Sequence, residues 1–308
     1  MCTSPRSVQF NPDGSLNWNK NYCNRELVPF KVPCGKCVEC LLERARDWAV
    51  RCTHEAQMHA QNAFITLTYS DAHLPLDGKL NHEHFQEFMY KLRKKFGEGI
   101  GFFMCGEYGE QTGRPHYHAC LFGVDFDDKV QFGENFLGDK LWTSKTLDAL
   151  WGRNDSDLCP NKIGEVTPQS AGYVARYVLK KQNPSAPQGY QKMSRKHAIG
   201  KRYIEKWHRD VFVHARGSII LSDGSKSKIP RYYEKWYKQK HPQDWIRYVT
   251  EVKPENTKRL SEKAEKEHAI YLRECEAREL ASWSYKSPLA RKRDILKHKQ
   301  KKLKRNFL

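Results

Sequence analysis

Apolar positions recur along the chain with two distinct periods, and the switches between them outline its elements. Leu41, Leu42, Ala45, Trp48, Ala49 and Cys52 return every three or four positions, with Glu43, Arg44, Arg46 and Asp47 between them. That spacing predicts one helix over about 39–60. The run Phe64-Ile65-Thr66-Leu67-Thr68-Tyr69 is β-branched and aromatic and breaks at Ser70-Asp71, a strand entering a loop. Phe85, Phe88, Met89, Leu92 and Phe96 share one face of a second helix over about 81–96. Two further strands are predicted over 99–109 and 114–123. The short glycine-flanked link Gly109-Glu110-Gln111-Thr112-Gly113 makes them antiparallel neighbours.

Elsewhere the pattern is weaker. The first thirty residues, with Pro12-Asp13-Gly14 and several Asn, read as turns and loop. A mixed helix is expected around 139–151, a short strand over 162–166, a helix over 168–181 and a loop over 182–200. Ser218–Ile220 and Lys228–Tyr233 read as the end of the folded part, and a charged helical stretch runs from about Pro254 to Leu280. Strands and helices alternate without βαβ spacing, so the expected class is α+β, an antiparallel sheet with flanking helices and a basic, largely helical C-terminal extension. The expected division is 1–60 (cysteine-rich segment and helix), 61–215 (core) and 216–308 (basic region).

Composition narrows the partners. The chain has 308 residues, 54 Lys and Arg against 36 Asp and Glu, and a formal net charge of +18. With 39% hydrophobic residues it is long enough to bury a core without disulfides, and its surplus charge must meet something anionic, nucleic acid first. Half of that charge lies between Ser284 and Leu308, where ten basic residues face Asp294 alone. No stretch of about 18 apolar residues could span a membrane. The first residues lack the apolar core of a secretory signal, so cytoplasmic residence is expected.

Two segments carry candidate chemistry. In Arg114-Pro115-His116-Tyr117-His118, alternate residues of a strand face one way, so two imidazoles stand about 6–7 Å apart and can grip one divalent ion, while Tyr117 and Ala119 face the other way. Surface or core histidines are the plain alternative. Glu107, just before the turn, can supply a third ligand if the hairpin closes in register, with Glu110 as competitor. Two nitrogens and a carboxylate with open positions suit Mg²⁺ or Mn²⁺ polarising a phosphate. In the helix beginning near Pro168, Tyr173 and Tyr177 lie one turn apart, followed by Lys180 and Lys181, with Val174, Ala175 and Val178 toward the core. A tyrosine hydroxyl can attack a phosphodiester covalently, and two could take turns; an amphipathic helix whose tyrosines merely pack is the alternative.

Together, Pro33-Cys34-Gly35-Lys36-Cys37-Val38-Glu39-Cys40, Cys105-Gly106-Glu107-Tyr108-Gly109, Gly113-Arg114-Pro115-His116-Tyr117-His118 and Gly172-Tyr173-Val174-Ala175-Arg176-Tyr177-Val178 resemble the replication initiation proteins of the Microviridae, particularly the gokushovirus type, within the HUH endonucleases. The resemblance spans about Val32 to Lys181. It implies an HUH-like fold and an enzyme that nicks one strand of replicative-form DNA at an origin. Such an enzyme stays on the 5′ phosphate through tyrosine, leaves a 3′ hydroxyl, and later rejoins the ends to release a single-stranded circle. On this sequence His116 and His118 become metal ligands, Tyr173 and Tyr177 alternating nucleophiles, and Lys180 a group that holds or neutralises the scissile phosphate. The setting implied is the cytoplasm of the host bacterium. The chain has no Gly-x-x-x-x-Gly-Lys-[Ser/Thr] loop, so unwinding is left to a host helicase and extension to a host polymerase.

Cys34, Cys37 and Cys40 have Cys-x-x-Cys spacing twice over, which suits structural Zn²⁺. Cys52 is a poor fourth ligand, since twelve helical residues put it about 18 Å from Cys40. Cys23 is the better one, with Cys159 or a histidine also possible; reduced cysteines packing in a turn are the alternative. Lys181, Arg291, Lys292 and Arg293 are expected DNA contacts, and the tail a sequence-independent hold on phosphates. Two other readings compete. One is a relaxase or transposase of the same chemistry. The other is a non-enzymatic single-strand-binding or regulatory protein that stacks bases on Trp207, Tyr232, Tyr233 and Trp236.

Overall fold

The computed structural model describes the chain except residues 1, 12, 14, 19–28, 110–111, 136–137, 159, 181–187, 197, 222–223, 225 and 304–308, and except the side chains of 177–180, 283, 297 and 299–303. Its residues fall into two units, Met1–Glu43 with Ile246–Leu308, and Arg44–Trp245.

The first unit begins with β1 (Arg6–Phe10), β2 (Leu16–Asn17) and β3 (Phe30–Val32), an antiparallel sheet in the order β2-β1-β3. Turn residues predicted loop here. The strands escape sequence reading because they are two to five residues long and only Val8 and Gln9 are buried, too little alternation to register. Helix α1 (Val38–Ala56) leads into the second unit.

The second unit continues with β4 (Asn62–Thr68), α2 (His82–Phe96), β5 (Gly101–Tyr108), β6 (Pro115–Phe122), β7 (Val130–Glu134), β8 (Lys140–Thr143), α3 (Lys145–Trp151), β9 (Lys162–Gly164), α4 (Pro168–Lys180), β10 (Tyr190–Met193), α5 (Lys201–Arg209), β11 (Ser218–Ile220), β12 (Lys226–Lys228) and α6 (Arg231–Lys240). A seven-stranded sheet runs β10-β5-β6-β4-β9-β8-β7, antiparallel throughout. The fold is therefore α+β, as its periodicities predict. Helix α7 (Pro242–Arg247) leads back to the first unit, which ends in α8 (Lys253–Ala277) and α9 (Pro288–Leu303).

Helices cover both faces of the sheet. On one, Phe85, Phe88, Met89 and Leu92 of α2 and Leu147 and Trp151 of α3 pack on Ile65, Leu67, Tyr117, Ala119 and Leu121. On the other, Ala45 and Cys52 of α1 and Ala171, Val174 and Ala175 of α4 pack on Phe103, Cys105, Cys120 and Phe122. Strand β6 is buried along its whole length, as a central strand between two helical layers must be. Each large side chain so buried contributes about 1.5–3 kcal/mol of transfer free energy. Helix α2 starts where the Asn81 side chain accepts from Glu83 N–H at 3.0 Å and stops at Gly97, whose φ of 96° carries the chain out of the helix.

Three expectations need correction. The stretch expected to be helix around 139–151 is strand β8 followed by a shorter helix: Ser144 caps α3 by accepting from Leu147 N–H at 3.1 Å, which fixes the helix start after Thr143. The expected loop over 182–200 contains β10, which pairs with β5 as an edge strand and lacks alternating apolar residues. The folded part does not end near Tyr233, since α6 belongs to the second unit, with Tyr233 and Tyr237 buried. No described helix is long and apolar enough to cross a membrane.

Candidate active site

Strand register assembles the site. Pairing of β5 with β6 sets Glu107 opposite His116 and Cys105 opposite His118, and pairing of β4 with β6 sets Thr66 opposite His118. The hairpin closes through Gly109 N–H to Arg114 O at 2.9 Å and Gly113 N–H to Gly109 O at 2.9 Å, with Gly113 at φ 65°. Because neighbours on a strand face opposite ways, Tyr117 and Ala119 enter the α2 side of the core while Glu107, His116 and His118 face α4. All three are buried, and one donor atom from each lies within 4.8 Å of the others.

Hydrogen bonds orient the two rings. His116 Nδ1 is 3.1 Å from Arg114 O, which can only accept, so the Nδ1 proton is fixed there and the Nε2 lone pair points inward, 3.1 Å from Glu107 Oε1. His118 Nδ1 meets Thr66 Oγ1 at 2.9 Å, and its Nε2 lies 3.0 Å from the same Glu107 oxygen. Phe64 stacks on the His118 ring, 5.8 Å between centroids. Arg114 is itself held, its guanidinium donating to Tyr69 O at 2.8 Å and to Asp71 at 2.6 Å. Lone pairs from two nitrogens and a carboxylate directed at one point repel unless a cation stands among them, and nitrogen with oxygen donors suits a divalent one. The group can therefore hold a metal ion.

Helix α4 brings a nucleophile to the same place. The Tyr173 hydroxyl donates to Glu107 Oε1 and lies 3.5 Å from His118 Nε2, with its ring edge-on to the imidazole at 4.9 Å. Val174 and Ala175 are buried beneath it, and Gln191 of β10 donates to Val174 O. Arg176 lies near enough to the Tyr173 hydroxyl to feel its charge, while its own burial lowers its pKa. Tyr177 and Lys180 are on the same helix, but their side chains, with Lys181 and Glu110, lie outside the described residues.

In the first unit, Cys2, Cys34, Cys37 and Cys40 are half-buried, and their sulfurs lie within 4.8 Å of one another, so this cluster too can hold a metal. Backbone N–H groups of Lys36 and Cys37 draw the Cys34 thiol down to about 6, while burial pushes Cys40 up to about 12. Cys23 and Cys159 lie outside the described residues. Cys52 is fully buried against Cys120 and Phe122 in the second unit, and α1 is continuous between Cys40 and Cys52, as the distance argument requires.

Of the expected DNA contacts, Lys292 and Arg293 on α9 are exposed, whereas Arg291 lies over the Tyr271 ring of α8 at 3.9 Å. Among the proposed stacking aromatics, Trp207 is exposed, Tyr232 and Trp236 are half-buried and Tyr233 is fully buried, so no continuous platform forms from the four. Sequence reasoning missed Thr66 and Cys2. Alternation placed Thr66 in a strand, but not which strand lies beside His118, and Cys2 stands 32 residues from Cys34 with no local spacing to mark it.

The family model described as replication-associated protein ORF2 matches residues 62–182, the span from β4 to the end of α4. Over 265 residues the chain is 38% identical to replication-associated protein VP4 of Bdellovibrio phage phiMH2K, covering 82% of each chain. It is 33% identical over 256 residues to replication-associated protein ORF2 of Spiroplasma virus 4, covering 78% of this chain and 77% of that one. Replication-associated protein ORF4 of Chlamydia phage 1 is 33% identical over 221 residues, 67% of this chain and 53% of that one. No solved structure matches significantly.

Proposed function

We propose, from the premise that this chain belongs to the Microviridae-type replication-associated proteins, that it initiates phage DNA replication as a single-strand endonuclease and strand transferase. The observation that carries this reading is the Tyr173 hydroxyl, hydrogen-bonded to Glu107 beside His118. A phenol sharing a pocket with convergent metal-type ligands is placed for covalent attack on a phosphodiester.

Glu107, His116 and His118 would hold Mg²⁺ or Mn²⁺, which when bound supplies Lewis-acid polarisation of the scissile phosphate. The chain's own groups do the rest. Tyr173 gives its proton to the Glu107 carboxylate and its oxygen forms a bond to phosphorus. The bond from phosphorus to the 3′ oxygen breaks, and that oxygen leaves as a 3′ hydroxyl, taking a proton from solvent. The 5′ end stays on Tyr173. The bond energy is retained in the phosphotyrosine, so reversal by an incoming 3′ hydroxyl needs no nucleotide. Tyr177, one turn along α4, serves the second cleavage, and Lys180 neutralises the phosphate.

The substrates on this reading are the double-stranded replicative form and the displaced single strand. A host helicase and polymerase act on the 3′ end, in the host cytoplasm. Supercoiled replicative form with Mn²⁺ tests the chemistry. Wild type is expected to yield nicked circles with protein on the 5′ end, and chelator to abolish them. The Tyr173→Phe, Tyr177→Phe double variant is expected to bind DNA without forming the adduct; a 5′ adduct from that variant overturns the assignment of nucleophiles.

A further inference from the structure

The nicking reaction uses Glu107, His116, His118 and α4, and leaves the cysteine cluster of the first unit without a task. The sulfurs of Cys2 and Cys37 are 3.6 Å apart, and all four sulfurs are within 4.8 Å of one another. Sulfurs arranged tetrahedrally about zinc at about 2.3 Å stand about 3.8 Å from each other, whereas a disulfide would bring a pair to about 2.05 Å. The cluster has the spacing of a four-sulfur cage rather than of two bonded pairs.

The local backbone is built to the same end. Gly35 adopts φ 75°, which turns the chain between Cys34 and Cys37 and lets Cys37 N–H reach Cys34 Sγ at 3.3 Å. Cys34 N–H in turn reaches Cys2 Sγ at 3.3 Å. Both N–H groups aim partial positive charge at sulfur, which favours sulfur in its anionic, ligating form. Cys37 immediately precedes α1 and Cys40 lies in its first turn, so their sulfurs fall on the same side of the helix start.

We propose that Cys2, Cys34, Cys37 and Cys40 bind one structural zinc ion, distinct from the cation held by Glu107, His116 and His118. An all-sulfur tetrahedral set is soft and closed, selecting Zn²⁺ over Mg²⁺ or Mn²⁺ and leaving no position for a substrate. Its work is mechanical. Between Cys2 and Cys34, 32 residues apart, the chain makes the excursion that contains β1, β2 and β3. Sheets of such short strands are marginal by themselves. The ion ties both ends of the excursion to the start of α1 and so contributes directly to folding of this segment. This assignment is independent of the nicking reaction.

Zinc content and X-ray absorption of the full-length protein test it. Expected are one zinc per chain and four sulfur neighbours at about 2.3 Å, both unchanged in the His116→Ala, His118→Ala variant. Cys2→Ser is expected to lose the ion or to show three sulfurs with one lighter neighbour. In the wild type, chelation is expected to expose the segment between β1 and β3 to limited proteolysis. Absence of zinc from the wild type, or nitrogen and oxygen neighbours in place of four sulfurs, overturns the proposal without reliance on any variant. A four-sulfur shell that survives Cys2→Ser overturns the assignment of Cys2.

Discussion

Two histidines on one strand can be ordinary core residues or ligands, and what distinguishes them is the partner of the other ring nitrogen. His116 is fixed by a carbonyl that only accepts, Arg114 O. His118 depends on Thr66, whose hydroxyl must accept the Nδ1 proton for Nε2 to offer its lone pair beside Glu107. Thr66→Val keeps the shape of the side chain and removes that acceptor. Mn²⁺ affinity, read by electron paramagnetic resonance, is expected to fall about 10–100-fold, with little change in thermal midpoint, and Thr66→Ser is expected to restore it. Equal affinity in Thr66→Val would show that Phe64 stacking alone orients the ring.

Among the elements, those built on strong periodicity are legible in the amino-acid sequence. The β5–β6 hairpin, α2 and α4 follow from apolar spacing and a glycine-flanked turn, and the hairpin register alone brings Glu107 to His116. Elements supported by pairing rather than by apolar content, β1 to β3 and β10, are not, because an edge strand such as Tyr190–Met193 is stabilised by hydrogen bonds to β5 that leave no mark in its own sequence. The junction of α1 with α6 is equally hidden. There His54 is buried, its Nδ1 is 3.0 Å from the Tyr233 hydroxyl and its ring stacks on Tyr203. Burial lowers its pKa to about 4, since the imidazolium loses its hydration there. Below the reference value of about 6.5, the unfolded chain takes up a proton that the folded one refuses. Stability is therefore whole above that pH, falls as pH drops toward 4, and levels off below. The loss amounts to at most about 3 kcal/mol. Urea midpoints across this range check it, and His54→Gln, which keeps a partner for Tyr233 but does not titrate there, is expected to flatten the slope.

For the whole molecule, the excess of +18 and the chemistry belong to different parts of the chain. Half the charge lies in the last 25 residues, in the first unit, whereas Glu107, His116, His118 and Tyr173 are all in the second. Hold on DNA and cleavage of DNA are then expected to separate under mutation. Cations on phosphate release counterions, and each contact contributes about 0.7 to the slope of log affinity against log salt for a single strand. Lys292 and Arg293 are exposed on α9, so Lys292→Gln, Arg293→Gln is expected to weaken single-strand binding and reduce that slope by at most about 1.4. Nicking at saturating protein is expected to be unchanged. His116→Ala is expected to do the reverse, leaving the salt slope intact while nicking is lost. Fluorescence anisotropy over a salt series, run beside a plasmid-nicking assay, measures both. A change in the slope for His116→Ala, or loss of saturated nicking in the tail variant, would mean that the basic tail and the catalytic hairpin act on one phosphate run rather than on two.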